Sequence, residues 1–244
     1  MQIITFPVTL IKSFMISPKV KHFILTCDTE SVFQFKPGQF ITIHFTIDGK
    51  PLRRSYSIAN EPKQDNRIEI AAGYVDDGPG TKLLFNLKPG DSLQINGPYG
   101  RLVLKENTPK RYIFVATSTG ITPFRAMLGE LGHRLQQNTN LTAVILQGVQ
   151  KSEEVLYKAD FLNFIQQYPQ VSFYPYLSRE PVNQLKDDEY SGYVQLAFNK
   201  LELKPEEDVV YLCGNPSMID DAFEQLKTLG FTTQQVIREK YISN

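Results

Sequence analysis

The feature that most constrains the fold of this chain is a change of pattern just after residue 105. Before it, short runs of β-branched and aromatic residues recur at Val8 to Phe14, His22 to Thr26, Phe40 to Phe45, Ser55 to Ala59, Ile68 to Tyr74, Ser92 to Ile95 and Arg101 to Leu104. Turn formers separate them at Lys36-Pro37-Gly38, Asp48-Gly49, Asp76-Asp77-Gly78-Pro79-Gly80, Lys88-Pro89-Gly90-Asp91 and Gly97-Pro98-Tyr99-Gly100. One turn of helix is expected at Thr81 to Phe85. Many short strands joined by Gly/Pro turns predict a barrel or sandwich. After Glu106-Asn107-Thr108-Pro109 the grammar alternates: strand Tyr112 to Ala116, helix Pro123 to Arg134, strand Leu141 to Gln147, helix Ser152 to Gln167, strand Val171 to Leu177, strand Val209 to Cys213, helix Pro216 to Leu229. Alternating strands and helices imply right-handed crossovers and a parallel sheet. The expectation is a two-domain chain: an N-terminal antiparallel β-barrel over residues 1–106, then a C-terminal α/β parallel-sheet domain over 107–244.

Charge and cysteine content remove several function classes. The 26 basic residues balance the 26 acidic ones, which argues against nucleic acid or another polyanion as partner. The two cysteines, Cys27 and Cys213, cannot hold an iron–sulfur cluster, which needs about four thiolates. They form no CxxC pair and suggest no disulfide framework, so a reducing cytoplasm is expected. The start of the sequence, Met1 to Pro7, lacks the charged end and apolar run of a signal peptide. No stretch approaches the roughly 20 apolar residues of a membrane span.

Within the strand-rich half, Leu52-Arg53-Arg54-Ser55-Tyr56-Ser57-Ile58 stands out. Side chains alternate along a strand, so Arg54 and Tyr56 share one face. A guanidinium can hold a phosphate through paired hydrogen bonds, an adjacent phenol ring can lie on a flat ligand, and Ser57 can bond that ligand's edge. A phosphate plus a flat ring suggests a flavin nucleotide; an ordinary surface strand carries the same residues. In the second half, Phe114 to Phe124 runs from an apolar strand through Thr117-Ser118-Thr119-Gly120-Ile121-Thr122 into a helix opened by Pro123. Small residues there let a ligand approach, and a helix start favours anions. A capped strand–helix turn is the structural alternative. Tyr211-Leu212-Cys213-Gly214-Asn215-Pro216 repeats the logic, with Cys213 expected at a strand tip facing the cleft, or else simply buried.

The order of Arg54-Ser55-Tyr56-Ser57, Gly78-Pro79-Gly80-Thr81, Gly97-Pro98-Tyr99-Gly100, Thr119-Gly120-Ile121-Thr122-Pro123, Ser178-Arg179-Glu180, Cys213-Gly214-Asn215-Pro216 and Arg238-Glu239-Lys240-Tyr241 resembles the ferredoxin–NADP⁺ reductase superfamily, in particular its compact bacterial flavoproteins. The resemblance implies that residues 1–106 form a FAD-binding domain and 107–244 an NAD(P)-binding domain. By it, Arg54 contacts the flavin phosphates, Tyr56 stacks on the isoalloxazine, Ser57 bonds near N5 with Ile58 beside it, and Gly80 and Thr81 form a pyrophosphate nest. Thr119, Gly120 and Thr122 line the dinucleotide path, Gly214 and Cys213 flank the nicotinamide, and Tyr241 belongs to the terminal cofactor-binding pattern. Ser57, Cys213 and Glu239 are the implied catalytic residues, with Glu239 tuning charge or relaying protons near N5. Read without the family, Glu239 is a solvated carboxylate.

Cosubstrate and acceptor follow the same resemblance. Ser178-Arg179-Glu180 matches a 2′-phosphate pattern, whereas Gln150 stands where NADPH-selective members often carry Arg, with Lys151 and Ser152 as substitutes. NADPH is expected, NADH being the other possibility. FAD takes two electrons as hydride and can release them singly, so the implied partner is a separate ferredoxin or flavodoxin, docking where Arg53, Arg54, Lys82 and Lys88 gather. A monomer without nucleic-acid or membrane partners is expected. The alternatives are the reductase component of an oxygenase, a flavin reductase, or a non-catalytic electron-transfer subunit.

Overall fold

The computed structural model describes residues 5–29, 32–47, 49–76 and 78–241. Residues 1–4, Asp48 and Asp77, which enter the expectations for the N-terminus and two turns, lie outside the described residues. The chain forms two compact units. One takes in the residues up to Leu104 together with Thr122–Met127, and the other Lys105–Ile121 with the residues from Leu128 onward.

In the first unit β1 (Phe6–Ser17), β2 (Val20–Cys27), β3 (Phe40–Ile47), β4 (Lys50–Ser57), β5 (Arg67–Gly73) and β6 (Ser92–Tyr99) form an antiparallel sheet in the order β4-β3-β6-β1-β2-β5. Burial alternates along β3, where Ile41, Ile43 and Phe45 point into a core that also holds Val8, Leu10, Phe23, Leu25, Ile68 and Ile70. The sheet's two edges meet just past β4. Ile58 bridges Ile70, the Ala59 N–H donates to the Glu69 carbonyl at 2.7 Å, and the Asn60 side chain accepts from the Glu69 N–H at 2.8 Å while donating to the Arg67 carbonyl at 3.0 Å. The barrel expected from the strand pattern is thereby tied shut just beyond the end of β4. Helix α1 (Pro79–Asn86) follows β5, as expected from the Pro/Gly turn.

Two expectations fail within this unit. Gly97-Pro98-Tyr99 is part of β6 rather than a turn. Arg101 to Leu104 is irregular rather than a strand, because Gly100 turns the chain out of the sheet at φ 102°. Its apolar residues report burial without pairing: Leu102 packs where a Cβ on Gly38 would lie 1.8 Å from the Leu102 carbonyl oxygen.

The barrel's closing seam carries a buried carboxylate. Glu69 on β5 is 6% exposed and lies 2.5 Å from Arg67, 3.2 Å from His22 Nε2 on β2 and 3.0 Å from Arg125. Arg125 also donates to the Ala59 carbonyl at 2.8 Å. Burial alone raises a carboxyl pKa, but the His22 hydrogen bond and the charges of Arg125 and His22 outweigh it, and Glu69 falls from 4.5 to about 2.

The second unit contains β7 (Arg111–Thr117), β8 (Thr142–Val149), β9 (Val171–Leu177), β10 (Tyr190–Ser191), β11 (Asp208–Gly214) and β12 (Val236–Lys240), all parallel, in the order β10-β9-β8-β7-β11-β12. Residues 112–116 of β7 and 143–149 of β8 are buried without alternation, the mark of a sheet covered on both faces. On one face Ile113, Val115, Val210 and Leu212 pack with Ile219, Ala222 and Leu226 of a helix over Pro216–Thr228. Between β7 and β8 lie α2 (Thr122–Ala126) and α3 (Leu128–Gln137), and α4 (Lys158–Gln167) follows β8. A short α5 (Phe198–Leu201) precedes β11, and α6 is the helix over Pro216–Thr228.

Three local differences from the sequence expectation have physical causes. The helix expected over Pro123 to Arg134 is broken at Met127, whose side chain packs against the Gly38 turn. The helix expected from Ser152 begins only at Lys158, because Tyr157 adopts a left-handed conformation at φ 55° and Ser152–Glu154 forms a single tight turn. Strand β12 went unexpected. Its Arg238-Glu239-Lys240 is charge-rich, and the strand is held by pairing with β11, by Arg238 over the Phe223 ring at 3.7 Å and by the Lys240–Asp220 ion pair.

The loops that leave β7 and β11 interlock. Gly214 has φ 124°, and a Cβ there would lie 2.5 Å from Thr117 Oγ1; a Cβ on Gly120 would lie 2.2 Å from the Cys213 carbonyl oxygen. The Asn215 N–H donates to Thr117 Oγ1 at 2.8 Å, while its side chain caps α6 by accepting from the Ser217 and Met218 N–H groups.

Two outcomes follow for stability. Glu69→Gln should flatten the acid limb of the unfolding free energy. The native carboxylate contributes above pH 4.5 and loses its contribution as pH falls toward about 2, an effect of roughly 3 kcal/mol in chemical denaturation at stepped pH. Gly120→Ala should cost about 1–3 kcal/mol in the same measurement, since its obstacle is backbone and cannot swing away.

Candidate functional site

In the first unit the expected residues converge on β4 and the start of α1. Leu52, Arg54 and Tyr56 form a half-buried row on β4, while Arg53 and Ser55 between them are exposed. The missing side chain of Gly80 makes room for Leu52 and for the Arg54 stem, since a Cβ there would meet Leu52 at 3.3 Å and Arg54 Cγ at 3.5 Å. The guanidinium-bearing side chain thus lies against a helix whose N-cap, Gly78, supplies no side-chain cap. A cation beside a helix N-terminus suits a phosphate. Tyr56 is held as a neutral phenol: burial pushes its pKa up, Arg54 pulls it down, and the result is about 12.

Three of the expected contacts look different at atomic detail. Ser57 is buried at the end of β4. Ile58 has its side chain in the barrel core and donates its N–H to the Gln39 carbonyl at 2.9 Å, so what it visibly does is close the barrel. The Thr81 hydroxyl lies 2.9 Å from the Gly78 carbonyl and 3.2 Å from that of Val75, bracing the loop ahead of α1.

In the second unit Cys213, Glu239, Tyr241 and Gly120 come together at the carboxyl ends of β7 and β11. Cys213 and Glu239 are register partners on adjacent parallel strands, and the Tyr241 N–H donates to the Gly214 carbonyl at 2.8 Å. Cys213 is fully buried, not open toward a cleft. Burial pushes its thiol well above the ordinary value and the Glu239 charge adds to this, against an opposing hydrogen bond with Tyr241, so the sulfur stays protonated at neutral pH. Gly120 and Gly214, expected to admit a ligand, also let the two loops approach one another. Thr119 is half-buried beside them.

Thr122, the first residue of α2, sits with the first unit. Its Oγ1 is buried and has no hydrogen-bond partner, an uncommon state for a native hydroxyl and one that a bound polar group would relieve. Together with the Arg54–Gly80 cradle, this orphaned hydroxyl fits a dinucleotide ligand set better than a closed apolar core.

The two segments expected to read the ribose phosphate are stitched together. Ser178 and Arg179 donate their N–H groups to the Val149 and Gln150 carbonyls at 3.0 and 2.9 Å. Arg179 is exposed. Ser152 is occupied: its N–H donates to Glu180 at 2.8 Å, its hydroxyl donates to buried Glu189 at 2.6 Å, and Lys186 reaches its oxygen at 2.8 Å. That leaves Ser152 a poor substitute for the missing Arg. Among residues the sequence reading passed over, Arg125 is the most telling; its signal was a lone cation inside the apolar run Pro123 to Leu128.

Comparison with known proteins agrees with these two halves. Residues 7–104 match the Oxidoreductase FAD-binding domain family, and residues 114–224 match the Oxidoreductase NAD-binding domain family. A ferredoxin–NADP reductase of Azotobacter vinelandii is 30% identical over 212 residues, covering 81% of this chain and 80% of that protein. The phenol hydroxylase P5 protein of Acinetobacter pittii is 28% identical, covering 96% of this chain and 65% of that protein. A ferredoxin NADP⁺ reductase from Neisseria gonorrhoeae, solved with bound FAD and NADP, superposes with a TM-score of 0.84 at 24% identity, covering 98% of this chain and 99% of that one. With a FAD-binding half, an NAD-binding half and this degree of identity, the chain is an oxidoreductase of the ferredoxin–NADP reductase family.

Proposed function

We propose that this chain binds FAD through the β4–α1 cradle, exchanges hydride with NADPH, and passes single electrons to a separate ferredoxin or flavodoxin in the cytoplasm. The observation that carries the cofactor site is the packing of the Arg54 stem on Gly80, the second residue of α1, whose N-cap offers no side-chain cap. The bound cofactors supply the redox chemistry, hydride moving between nicotinamide and flavin. The protein's residues bind, orient and exclude water. Arg54 and the first N–H groups of α1 hold phosphate; Tyr56, kept neutral, offers an apolar ring and a phenol donor. Ser57 lies at the strand end where a hydroxyl can meet the ring edge, and Thr122 Oγ1 gains the partner it lacks.

In the second unit the Thr119–Gly120 loop carries the dinucleotide. Cys213 contributes as a neutral, compact side chain beneath Glu239 and Tyr241 rather than as a nucleophile. Glu239, half-buried beside that thiol, tunes charge or holds a proton there. NADPH selectivity falls to Arg179, whose backbone is fixed on Gln150 while its side chain is exposed. Arg53, Lys82 and Lys88 are exposed and supply positive charge for an acidic carrier.

A second reading, the reductase component of an oxygenase, is favoured by the likeness to the phenol hydroxylase P5 protein. Titrating the reduced protein with ferredoxin, flavodoxin and oxygenase partners from the same cell separates the two.

Removing a charge-assisted phosphate contact is worth about 1.5–3 kcal/mol, so Arg54→Ala should weaken FAD retention roughly ten- to a hundredfold, read by flavin fluorescence on dilution. Tyr56→Ala should act in the same direction by about 1 kcal/mol. Stoichiometric FAD in both variants would remove the cradle from consideration. Arg179→Ala should lower kcat/KM for NADPH by roughly tenfold or more and leave NADH turnover unchanged; equal losses for both nucleotides would count against a 2′-phosphate role.

A further inference from the structure

We infer that Arg125 is a positioning residue for hydride transfer, acting by fixing α2, and with it Thr122, on the seam of the flavin barrel. The inference rests on the reading of the chain as a flavin reductase. Arg125 lies on α2, and its guanidinium NH1 donates both to the Ala59 carbonyl at 2.8 Å and to Glu69 Oε2 at 3.0 Å. Ala59 is two residues beyond Ser57, on the continuation of β4 that closes the barrel against β5. Glu69 is in turn held by His22 from β2 and by Arg67 from β5. Two residues after Arg125, Met127 packs its methyl group where a Gly38 side chain would stand, 2.4 Å from that Cβ position. Helix α2 is therefore pinned to the barrel at two points.

At the other end of the same five-residue helix stands Thr122, with its buried, unpartnered hydroxyl. Directly before it runs the Thr119–Gly120–Ile121 loop, which the proposed function gives to the dinucleotide. The path from the flavin strand to that hydroxyl is short and contiguous: Ser57, Ile58, Ala59 carbonyl, Arg125, one helical turn, Thr122. The Arg125–Glu69 pair stabilises the ionised Glu69, and because the same guanidinium also holds the Ala59 carbonyl it fixes where α2 lies on the seam. Its geometry suits positional specificity. Hydride transfer is steep in distance and angle, and a misplacement of about 1 Å can cost roughly a hundredfold in rate. Arg125 acts through Thr122 rather than by touching cofactor or substrate.

The test uses the full chain loaded with FAD. Parent, Arg125→Ala, Arg125→Lys and Glu69→Gln are compared by anaerobic stopped-flow bleaching of the flavin over a range of NADPH concentrations, with FAD content measured for each. The expected result for Arg125→Ala is full FAD content, a half-saturating NADPH concentration within about twofold of the parent, and a limiting bleaching rate lower by roughly ten- to a hundredfold. Arg125→Lys, whose ammonium can still donate to both oxygens, should recover part of that rate. Glu69→Gln should fall between the parent and the alanine variant. An unchanged limiting rate in Arg125→Ala, or a loss that tracks FAD content in every variant, overturns the inference. Should Arg125→Ala not fold, the limiting rates of the lysine and glutamine variants decide it by the same criteria. A parent that holds no FAD, or whose flavin neither nucleotide bleaches, defeats the functional reading itself and is distinguishable from both.

Discussion

Glu69 is the constraint around which the first unit is organised. An ionised carboxylate 6% exposed is tolerable only if its charge is matched and its oxygens are bonded. The matching groups arrive from separate places: His22 from β2, Arg67 from two residues earlier on β5, and Arg125 from α2. Each brings its element with it. The same stretch of β5 supplies the backbone that receives Ile58, Ala59 and Asn60 and closes the barrel, so electrostatic satisfaction and strand closure are one event. The β4 row of Leu52, Arg54 and Tyr56 leads directly into that closure, and its orientation is inherited from it.

The second unit solves a different problem by steric means. At its strand ends the two loops after β7 and β11 are fitted so closely that each requires glycine. Gly120 yields to the Cys213 carbonyl and Gly214 to Thr117, while Asn215 ties the arrangement to α6. The fit fixes Cys213 beside Glu239 through strand register alone. A thiol so enclosed is chemically quiet, which suits a place where shape and neutrality count for more than reactivity.

What could be read from the sequence divides along physical lines. The two architectures were legible because their periodicities differ: alternating burial in strands such as β3, unbroken apolar runs in β7 and β8. Strand β12 was not, because Arg238-Glu239-Lys240 has neither pattern and is ordered by its neighbours. Arg101 to Leu104 misled for the converse reason, being buried without being paired. At the site, residue types were legible and atomic commitments were not. Thr81, Ser152 and Ile58 have hydrogen-bonding groups committed within the fold, which residue type does not disclose. The role of Arg125 is not legible in sequence because its partners are 56 and 66 residues away, beyond any local pattern.

The grouping of Thr122–Met127 with the barrel has a consequence for how such reductases can be taken apart and recombined. A cut placed where the sequence changes grammar would sever α2 from the surface it completes. The excised barrel would carry Glu69 short of one counter-charge, the Ala59 carbonyl without its donor, and a vacant notch at Gly38 where Met127 belongs. An exchange that keeps this barrel intact must therefore carry the borrowed helix with it, because Arg125 is matched to the seam. The compact unit is discontinuous in sequence, and a short helix drawn from beyond the change of grammar completes the barrel.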